Sequence, residues 1–118
     1  MWEKRAMKWK IEYWDKEKPK SSIEKWADKL TDEQLESVSK ELKLLETGGN
    51  TLHFPHSKPL GASLFELRER RYGYRIYYAF HGKLVIILLA AGDKSSQTRD
   101  IKVARERLTR IIQGSKKS

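Results

Sequence analysis

The chain contains no cysteine, and this absence excludes disulfide bonds, thiolate zinc sites and thiol-based catalysis. Long apolar runs are also missing, since none approaches the roughly 20 residues that a membrane-spanning helix needs. The segment Met1–Trp9 has no apolar core of the kind that signal peptides contain. These absences predict a soluble, cytoplasmic protein that folds without covalent cross-links and does not contact a membrane.

Familiar nucleotide and metal signatures are missing too. The chain has no G-x-x-x-x-G-K-[ST], no G-x-G-x-x-G and no H-E-x-x-H. His53 and His56 could form a metal pair, but they lie in a proline-containing segment with no obvious third ligand. Solvated loop histidines are the favoured interpretation, and we expect neither a metal ion nor a cofactor.

Charged residues are abundant but unevenly placed. Residues 1–50 contain 11 basic and 11 acidic residues, whereas residues 51–118 contain 14 basic and 5 acidic ones. The whole net charge of +9 therefore belongs to the second part of the chain. Such an excess favours a polyanionic partner, either a nucleic acid or an acidic protein, and charge alone does not choose between them.

The stretch from Leu64 to Lys94 predicts three antiparallel strands. Leu64–Arg70 and Tyr74–Phe80 alternate between apolar and polar residues, and Lys83–Ala91 is almost wholly apolar. His81-Gly82 is predicted to be a two-residue turn. Because both faces of Lys83–Ala91 are apolar, we expect this strand to be central.

Alternation also assigns the strand side chains to faces. The face predicted to pack in the core contains Phe65, Leu67, Ile76, Tyr78 and Phe80. The opposite face gathers Glu66, Arg68, Arg70, Arg75 and Tyr77. Arginines beside a carboxylate and an aromatic hydroxyl could hold a phosphate, whereas the plainer interpretation is an ordinary solvated sheet face.

The segment before this sheet predicts a strand and two helices. Lys8–Trp14 alternates and is expected to be an edge strand. Capping-box patterns, Ser21 with Glu24 and Thr31 with Gln34, predict the starts of the helices. Their apolar stripes need a sheet to cover, so we predict a single α+β domain over residues 1–118 with frayed ends at about 1–6 and 114–118.

Three further segments complete this prediction. Asn50–Ser63 is expected to be a loop and Ala91–Lys94 a turn. Ser96 or Thr98 is expected to cap a last helix. The surface of that helix is crowded with basic residues: Arg99, Lys102, Arg105, Arg107 and Arg110.

The polar face would suit metal-independent RNA cleavage, in which a 2′-hydroxyl attacks the adjacent phosphate. Such a site removes a proton, stabilises negative charge on the phosphoryl oxygens and protonates the leaving 5′-oxygen. Arg68, Arg75 and Lys94 are candidates for stabilising the charge, because a cationic fork matches phosphate oxygens. Spacing alone does not single out the residue that transfers protons. The candidates are Glu66, His53, His56, Asp93 and Tyr77.

Four motifs together resemble the RelE/HigB toxin superfamily and, within it, the phage-derived addiction-module killer group. They are LFELR at Leu64–Arg68, GYRIYY at Gly73–Tyr78, LLAAGDKSSQ at Leu88–Gln97, and Asp100-Ile101 followed by Ala104. The resemblance implies a small antiparallel sheet with two N-terminal helices on one face and a C-terminal helix. It also implies the toxin of a type II toxin–antitoxin pair, which cleaves messenger RNA on the ribosome and is silenced by an antitoxin of helix-turn-helix type.

The resemblance also assigns roles to single residues. Arg75 matches the phosphate-binding arginine of the GYR motif, Arg68 the arginine that closes the preceding strand, and Lys94 the basic segment after the third strand. With Glu66 these residues form the predicted catalytic set. Contacts with RNA are predicted for Lys58, Arg70, Arg71, Tyr77, Arg99 and Lys102.

Two departures from the superfamily pattern keep an alternative open. Ile101–Ser118 contains neither the histidine nor the tyrosine that many relatives have near their end, and Ala90-Ala91-Gly92 replaces the commoner Cys-Gly-Gly. The general base is therefore unassigned. The alternative is a ParE-like toxin of the same fold, which lacks a nuclease site and poisons DNA gyrase by protein binding.

Overall fold

The structure, a computed structural model, describes residues 8–116. Its regular elements are β1 (Lys10–Tyr13), α1 (Ser22–Ala27), α2 (Asp32–Gly48), β2 (Ser57–Gly61), β3 (Leu64–Glu69), β4 (Tyr74–Phe80), β5 (Val85–Asp93) and α3 (Gln97–Lys116). Short 3₁₀ turns at Gly49–Thr51 and Lys94–Ser96 follow α2 and β5. Among residues 8–116, none of the helices combines the length and the apolar composition that crossing a bilayer requires.

The five strands form one sheet in the order β1-β5-β4-β3-β2. The predicted α+β class is confirmed, but the sheet is mixed rather than wholly antiparallel, because β1 runs parallel to β5. The central strand is β4, so the prediction that Lys83–Ala91 is central is wrong. β5 is apolar on both faces because helices cover both faces of the sheet. The apolar pattern of a strand does not distinguish coverage by helices from a central position in the sheet.

Helices α1 and α2 cover one face of the sheet. The buried residues of this core come from both helices and from three strands: Ile23, Val38, Leu45, Leu67, Ile76, Tyr78, Ile86 and Leu88. Phe65 and Phe80 pack against them. The predicted core face is therefore confirmed.

Helix α3 covers the opposite face. A second core lies beneath it: Leu64, Tyr77, Ala79, Ile87, Leu89, Ala90, Ala104 and Leu108. The plainer interpretation, an ordinary solvated sheet face, is thus wrong, because an amphipathic helix that follows β5 directly buries its apolar stripe on the nearest apolar surface. The polar side chains of this face lie at its end, where β3 ends and β4 begins.

Both predicted capping boxes are present. The amide of Gln34 donates to Thr31 Oγ1 at 3.2 Å, and the amide of Thr31 donates to Gln34 Oε1 at 2.9 Å. Ser21 and Glu24 form the corresponding pair at the start of α1. These local bonds satisfy amides that a helix start otherwise leaves without partners.

Several predicted boundaries differ from the structure. Asn50–Ser63 contains β2, an edge strand in which Pro59 is tolerated because not every amide there needs a partner. The β4–β5 turn is longer than two residues, and His81 N donates to Val85 O across it at 2.9 Å. β5 continues to Asp93 through the predicted turn. Of the predicted frayed ends, 1–6 and 117–118 lie outside the described residues, while α3 is helical through 114–116.

Candidate functional site

Two arginines face each other at the end of the sheet. Arg68, near the end of β3, pairs in register with Arg75, near the start of β4, and Arg75 pairs with Gly92 of β5. Directly opposed residues of antiparallel strands have side chains on the same face, and like charges in such a pair destabilise the sheet. This pair therefore requires a negative charge nearby.

Glu66 provides that charge. Its Oε1 atom lies 3.6 Å from Arg68 Nε, and its Oε2 atom lies 3.6 Å from Arg75 Nε. The exposed fractions of the side chains are 2% for Glu66, 12% for Arg75 and 27% for Arg68. The site thus has a sealed carboxylate at its base, partly open guanidinium groups above it, and an excess of positive charge.

The start of α3 holds the carboxylate in place. Gln97 Nε2 donates a hydrogen bond of 2.9 Å to Glu66 Oε2. Gly92 permits this close approach of helix to sheet, since a Cβ atom there would overlap the Asp100 carboxylate and the Ser96 hydroxyl. Reasoning from the sequence missed the role of Gln97, and the signal that could have found it was its place in the LLAAGDKSSQ motif.

The Nε atoms of the two arginines lie near Glu66 without a direct hydrogen bond to it. A separation of 3.6 Å is too long for a hydrogen bond to Glu66, and Arg75 Nε is buried without a hydrogen-bond partner within residues 8–116. Arg75 Nη1 donates to the carbonyl of Gly73 at 3.2 Å, which helps to orient the group. Because a guanidinium presents five N–H donors in one plane, a phosphate between the two arginines would satisfy several at once.

Tyr77, predicted to contact RNA, is buried instead. Its exposed fraction is 0%, and it packs in the core beneath α3. Its hydroxyl has no hydrogen-bond partner in the part of the chain that the structure describes. Burial, followed by the charges of Glu66 and Asp100, raises the pKa of Tyr77 well above its ordinary value. A side chain sealed in this way supports the sheet and does not reach a nucleic acid.

Replacing Tyr77 with phenylalanine is expected to leave stability unchanged or raise it by about 1 kcal/mol at neutral pH, because a buried hydroxyl without a partner is removed. A raised folded-state pKa means that the unfolded state loses the phenolic proton first. The Tyr77 hydroxyl therefore has no pH-dependent effect on the free energy of unfolding below about pH 10. Above that pH the free energy of unfolding of the wild-type protein declines. Urea unfolding followed by circular dichroism on either side of that pH should show a smaller alkaline decline in Tyr77→Phe. Equal declines in both proteins would contradict this account.

Four of the predicted basic residues are exposed near the arginine pair in the fold. Lys58 lies on β2, directly opposite Glu66 in register. Lys94, Arg99 and Lys102 are exposed in the 3₁₀ turn after β5 and in the first turns of α3. They add positive charge on β2 and near the start of α3, the two elements that adjoin Glu66 through Lys58 and Gln97.

Arg70 and Arg71 lie apart from this group. Both are exposed in the β3–β4 turn and line a cleft of about 290 Å³ against α2. The turn is held by the buried carboxylate of Glu69, which accepts hydrogen bonds from the amides of Arg71 at 3.0 Å and Tyr72 at 2.9 Å. The structure thus places these two predicted RNA contacts on the α2 side of the domain.

Two arginines of α3 donate hydrogen bonds to backbone carbonyls of the sheet. Arg107 Nη1 donates to the carbonyl of Leu89 at 2.6 Å, and its guanidinium lies 4.3 Å from the ring centroid of Trp14. Burial lowers the pKa of Arg107. Arg105 donates to the carbonyl of Leu60 at 2.8 Å. These two members of the predicted basic surface therefore also bind backbone carbonyls of the strands.

The candidates for proton transfer also differ in their surroundings. His56 Nδ1 lies 3.1 Å from both carboxylate oxygens of Glu41, so this ring is engaged with α2. Asp93 accepts hydrogen bonds from Ser95, and these bonds, with the charge of Arg75, lower its pKa. His53 is exposed in the segment before β2.

Comparison with known proteins adds three findings. A family model described as phage-derived protein Gp49-like (DUF891) matches residues 25–113, which include the arginine pair, Glu66 and Gln97. An uncharacterized protein of Haemophilus influenzae is 33% identical over 86 residues, which cover 71% of this chain and 83% of that relative. The structure of a mutant of the E. coli toxin RelE in the free state matches with a TM-score of 0.64 and 17% identity, covering 86% of this chain and 98% of that one. The last likeness confirms the predicted fold.

Proposed function

The chain belongs to the Gp49-like family of phage-derived proteins, and from this membership and its paired arginines we propose that it is the toxin of a type II toxin–antitoxin pair. The predicted resemblance to the RelE/HigB toxin superfamily is confirmed by the family match together with the shared fold. The activity we propose is cleavage of messenger RNA on the translating ribosome, without a metal ion or cofactor. Its partners would be the ribosome, the message and a cognate antitoxin of helix-turn-helix type.

The observation that supports a nuclease is the pair of opposed, partly exposed guanidinium groups of Arg68 and Arg75, held around one buried carboxylate. When a 2′-oxygen attacks phosphorus, negative charge increases on the non-bridging oxygens as the bond to the 5′-oxygen breaks. Fixed cations aimed at those oxygens lower the barrier, because they interact more strongly with the transition state than with the substrate. Lys94, exposed just beyond β5, is proposed to assist at the leaving oxygen or at the phosphate.

Glu66 is proposed as a positioning residue in this site. A carboxylate that is 2% exposed and paired with two arginines is poorly placed to take a proton from a ribose. Its charge instead offsets the repulsion between Arg68 and Arg75, and its bond from Gln97 fixes it relative to α3. The role of general base is thus better suited to an exposed group or to the ribosomal complex.

Binding of the ribosome and message is assigned to the exposed cations: Lys58, Arg70, Arg71, Arg99 and Lys102. Contacts of lysine and arginine with phosphates release bound counterions and supply most of the non-specific affinity for RNA. We therefore expect association to weaken steeply as salt is raised. Tyr77 is left out of this group because of its burial.

The proposal is tested by adding the purified protein to a reconstituted bacterial translation system and mapping the message by primer extension. New 5′ ends at ribosome-occupied codons are expected, and they should be absent when ribosomes are omitted. Translation that stops while the message stays intact would contradict the nuclease. In cells, arrest of DNA synthesis before arrest of translation would favour the gyrase-poison alternative.

A further inference from the structure

Phe54 is an exposed aromatic side chain close to the arginine pair. Its exposed fraction is 68%, against 39–42% for Leu35, Leu44 and Ile112, the other large apolar side chains exposed in the described part of the chain. An aromatic ring that stays largely in water adds little to the stability of the folded domain. Its exposure therefore calls for an explanation outside the core.

The turn that presents this ring is firmly held. The carbonyl of His53 accepts hydrogen bonds from the amides of His56 at 3.0 Å and Ser57 at 3.1 Å, which closes the turn around Phe54. The carbonyl of His56 accepts from the amide of Arg68 at 2.8 Å, and the His56 ring contacts Glu41 of α2. The backbone is thus anchored to both β3 and α2, and Phe54 is presented in a preorganised position.

The surroundings of the ring combine an arginine with a cavity. The guanidinium carbon of Arg68 lies 5.4 Å from the ring centroid of Phe54. The same ring lines a cavity of about 460 Å³, with Leu52, His53, Lys58 and Phe65 among its neighbours. A cavity of this size is within the range that holds small organic ligands. Phe54 therefore connects a phosphate-binding arginine with a space that could hold a flat group.

We propose that Phe54 is a stacking platform for one unpaired base of single-stranded RNA, next to the phosphate held by Arg68 and Arg75. This inference rests on the proposed function and specifies its substrate as unpaired RNA. Bases stack on aromatic side chains through their π faces, and a neighbouring cation on the phosphate secures the same nucleotide. A protein partner fits less well, because Arg68 beside the ring and Lys58 in the lining of the same cavity are cations of the kind expected beside a phosphate.

The test compares short single-stranded RNAs in which every 2′-hydroxyl is methylated, so that cleavage cannot occur. Isothermal titration calorimetry at low salt measures the affinity of the intact oligonucleotide and of a series with one abasic position each. For the wild-type protein, one abasic position is expected to weaken binding by about 10- to 100-fold. Phe54→Ala should bind that abasic RNA and the intact RNA equally, and Phe54→Trp should restore the difference.

Two controls separate stacking from other causes. Ile112→Ala removes another exposed apolar side chain, at the far end of α3, and should leave the abasic effect unchanged. Urea unfolding should give the same stability for Phe54→Ala as for the wild type, because the ring is largely exposed.

The outcomes also separate this inference from the function on which it rests. If Arg68→Ala weakens every RNA while no abasic position matters to the wild type, the platform is refuted and the phosphate site stands. If neither Arg68→Ala nor Phe54→Ala changes affinity, both proposals are refuted. If Phe54→Ala leaves RNA binding intact and weakens only the complex with the cognate antitoxin, the ring contacts protein and the platform is overturned.

Discussion

Replacing Arg75 with alanine is expected to slow ribosome-dependent cleavage by about 100- to 1,000-fold, the usual cost of removing one fixed donor that stabilises a developing oxyanion. The expectation depends on the position of Arg75, which lies between Arg68 and Gly92 in register and has a side chain that is 12% exposed at the end of the sheet. Growth inhibition on induction without antitoxin should be lost in parallel. Primer extension in the reconstituted system measures the rate directly.

Two further variants control for charge and geometry in that experiment. Arg75→Lys keeps the charge but loses the planar fork, so it should recover only a small part of the activity. Lys83→Ala removes an equal charge at the opposite end of β4, in the exposed β4–β5 turn, and should remain active. If Arg75→Ala were folded and as active as Lys83→Ala, Arg75 would have no place in the site.

Replacing Glu66 with alanine is expected to destabilise the domain by about 3 kcal/mol, because removal of one partner leaves two opposed guanidinium groups without a counter-charge in a partly buried site. The midpoint of thermal unfolding should fall by about 10 °C. Glu66→Gln should cost less, since its carbonyl oxygen still accepts the hydrogen bond from Gln97. Thermal and urea unfolding by circular dichroism measure these differences.

The activity of the same variants distinguishes positioning from proton transfer by Glu66. If Glu66 only orients the arginines, Glu66→Gln should lower the cleavage rate while leaving the shape of its pH profile unchanged. Disappearance of the acid limb of that profile in Glu66→Gln would show that Glu66 is the general base, and the positioning role would be wrong. A folded Glu66→Ala variant with wild-type stability would contradict the electrostatic argument itself.

The local parts of the fold were predictable because their signals lie within a few residues of one another. The capping boxes at Ser21 and Thr31, the strands β3 and β4, and the core face marked by Leu67 and Ile76 are all present. Side-chain alternation alone places Arg68, Arg75 and Glu66 on one face, so their assembly into one site follows from the pattern of two adjacent strands.

The missed features depend on contacts between distant segments. Strand β2 has a proline and little alternation, and it is a strand because the exposed edge of β3 offers it hydrogen bonds. The parallel pairing of β1 with β5 likewise depends on which edge remains open after β4 and β5 have paired. The burial of Tyr77 depends on α3 packing over a face that alternation had marked as polar.

The sequence by itself determined the helices, the strands of the meander, the basic charge of the second half and the shared face of the two arginines, because periodicity, capping and charge are properties of short segments. Tertiary structure alone decided that Glu66 is sealed between the arginines and held by Gln97, that Tyr77 is enclosed, and that Phe54 is exposed beside Arg68. The physical reason is that burial and long-range pairing depend on which apolar surfaces meet when the chain closes, and no short segment contains that information.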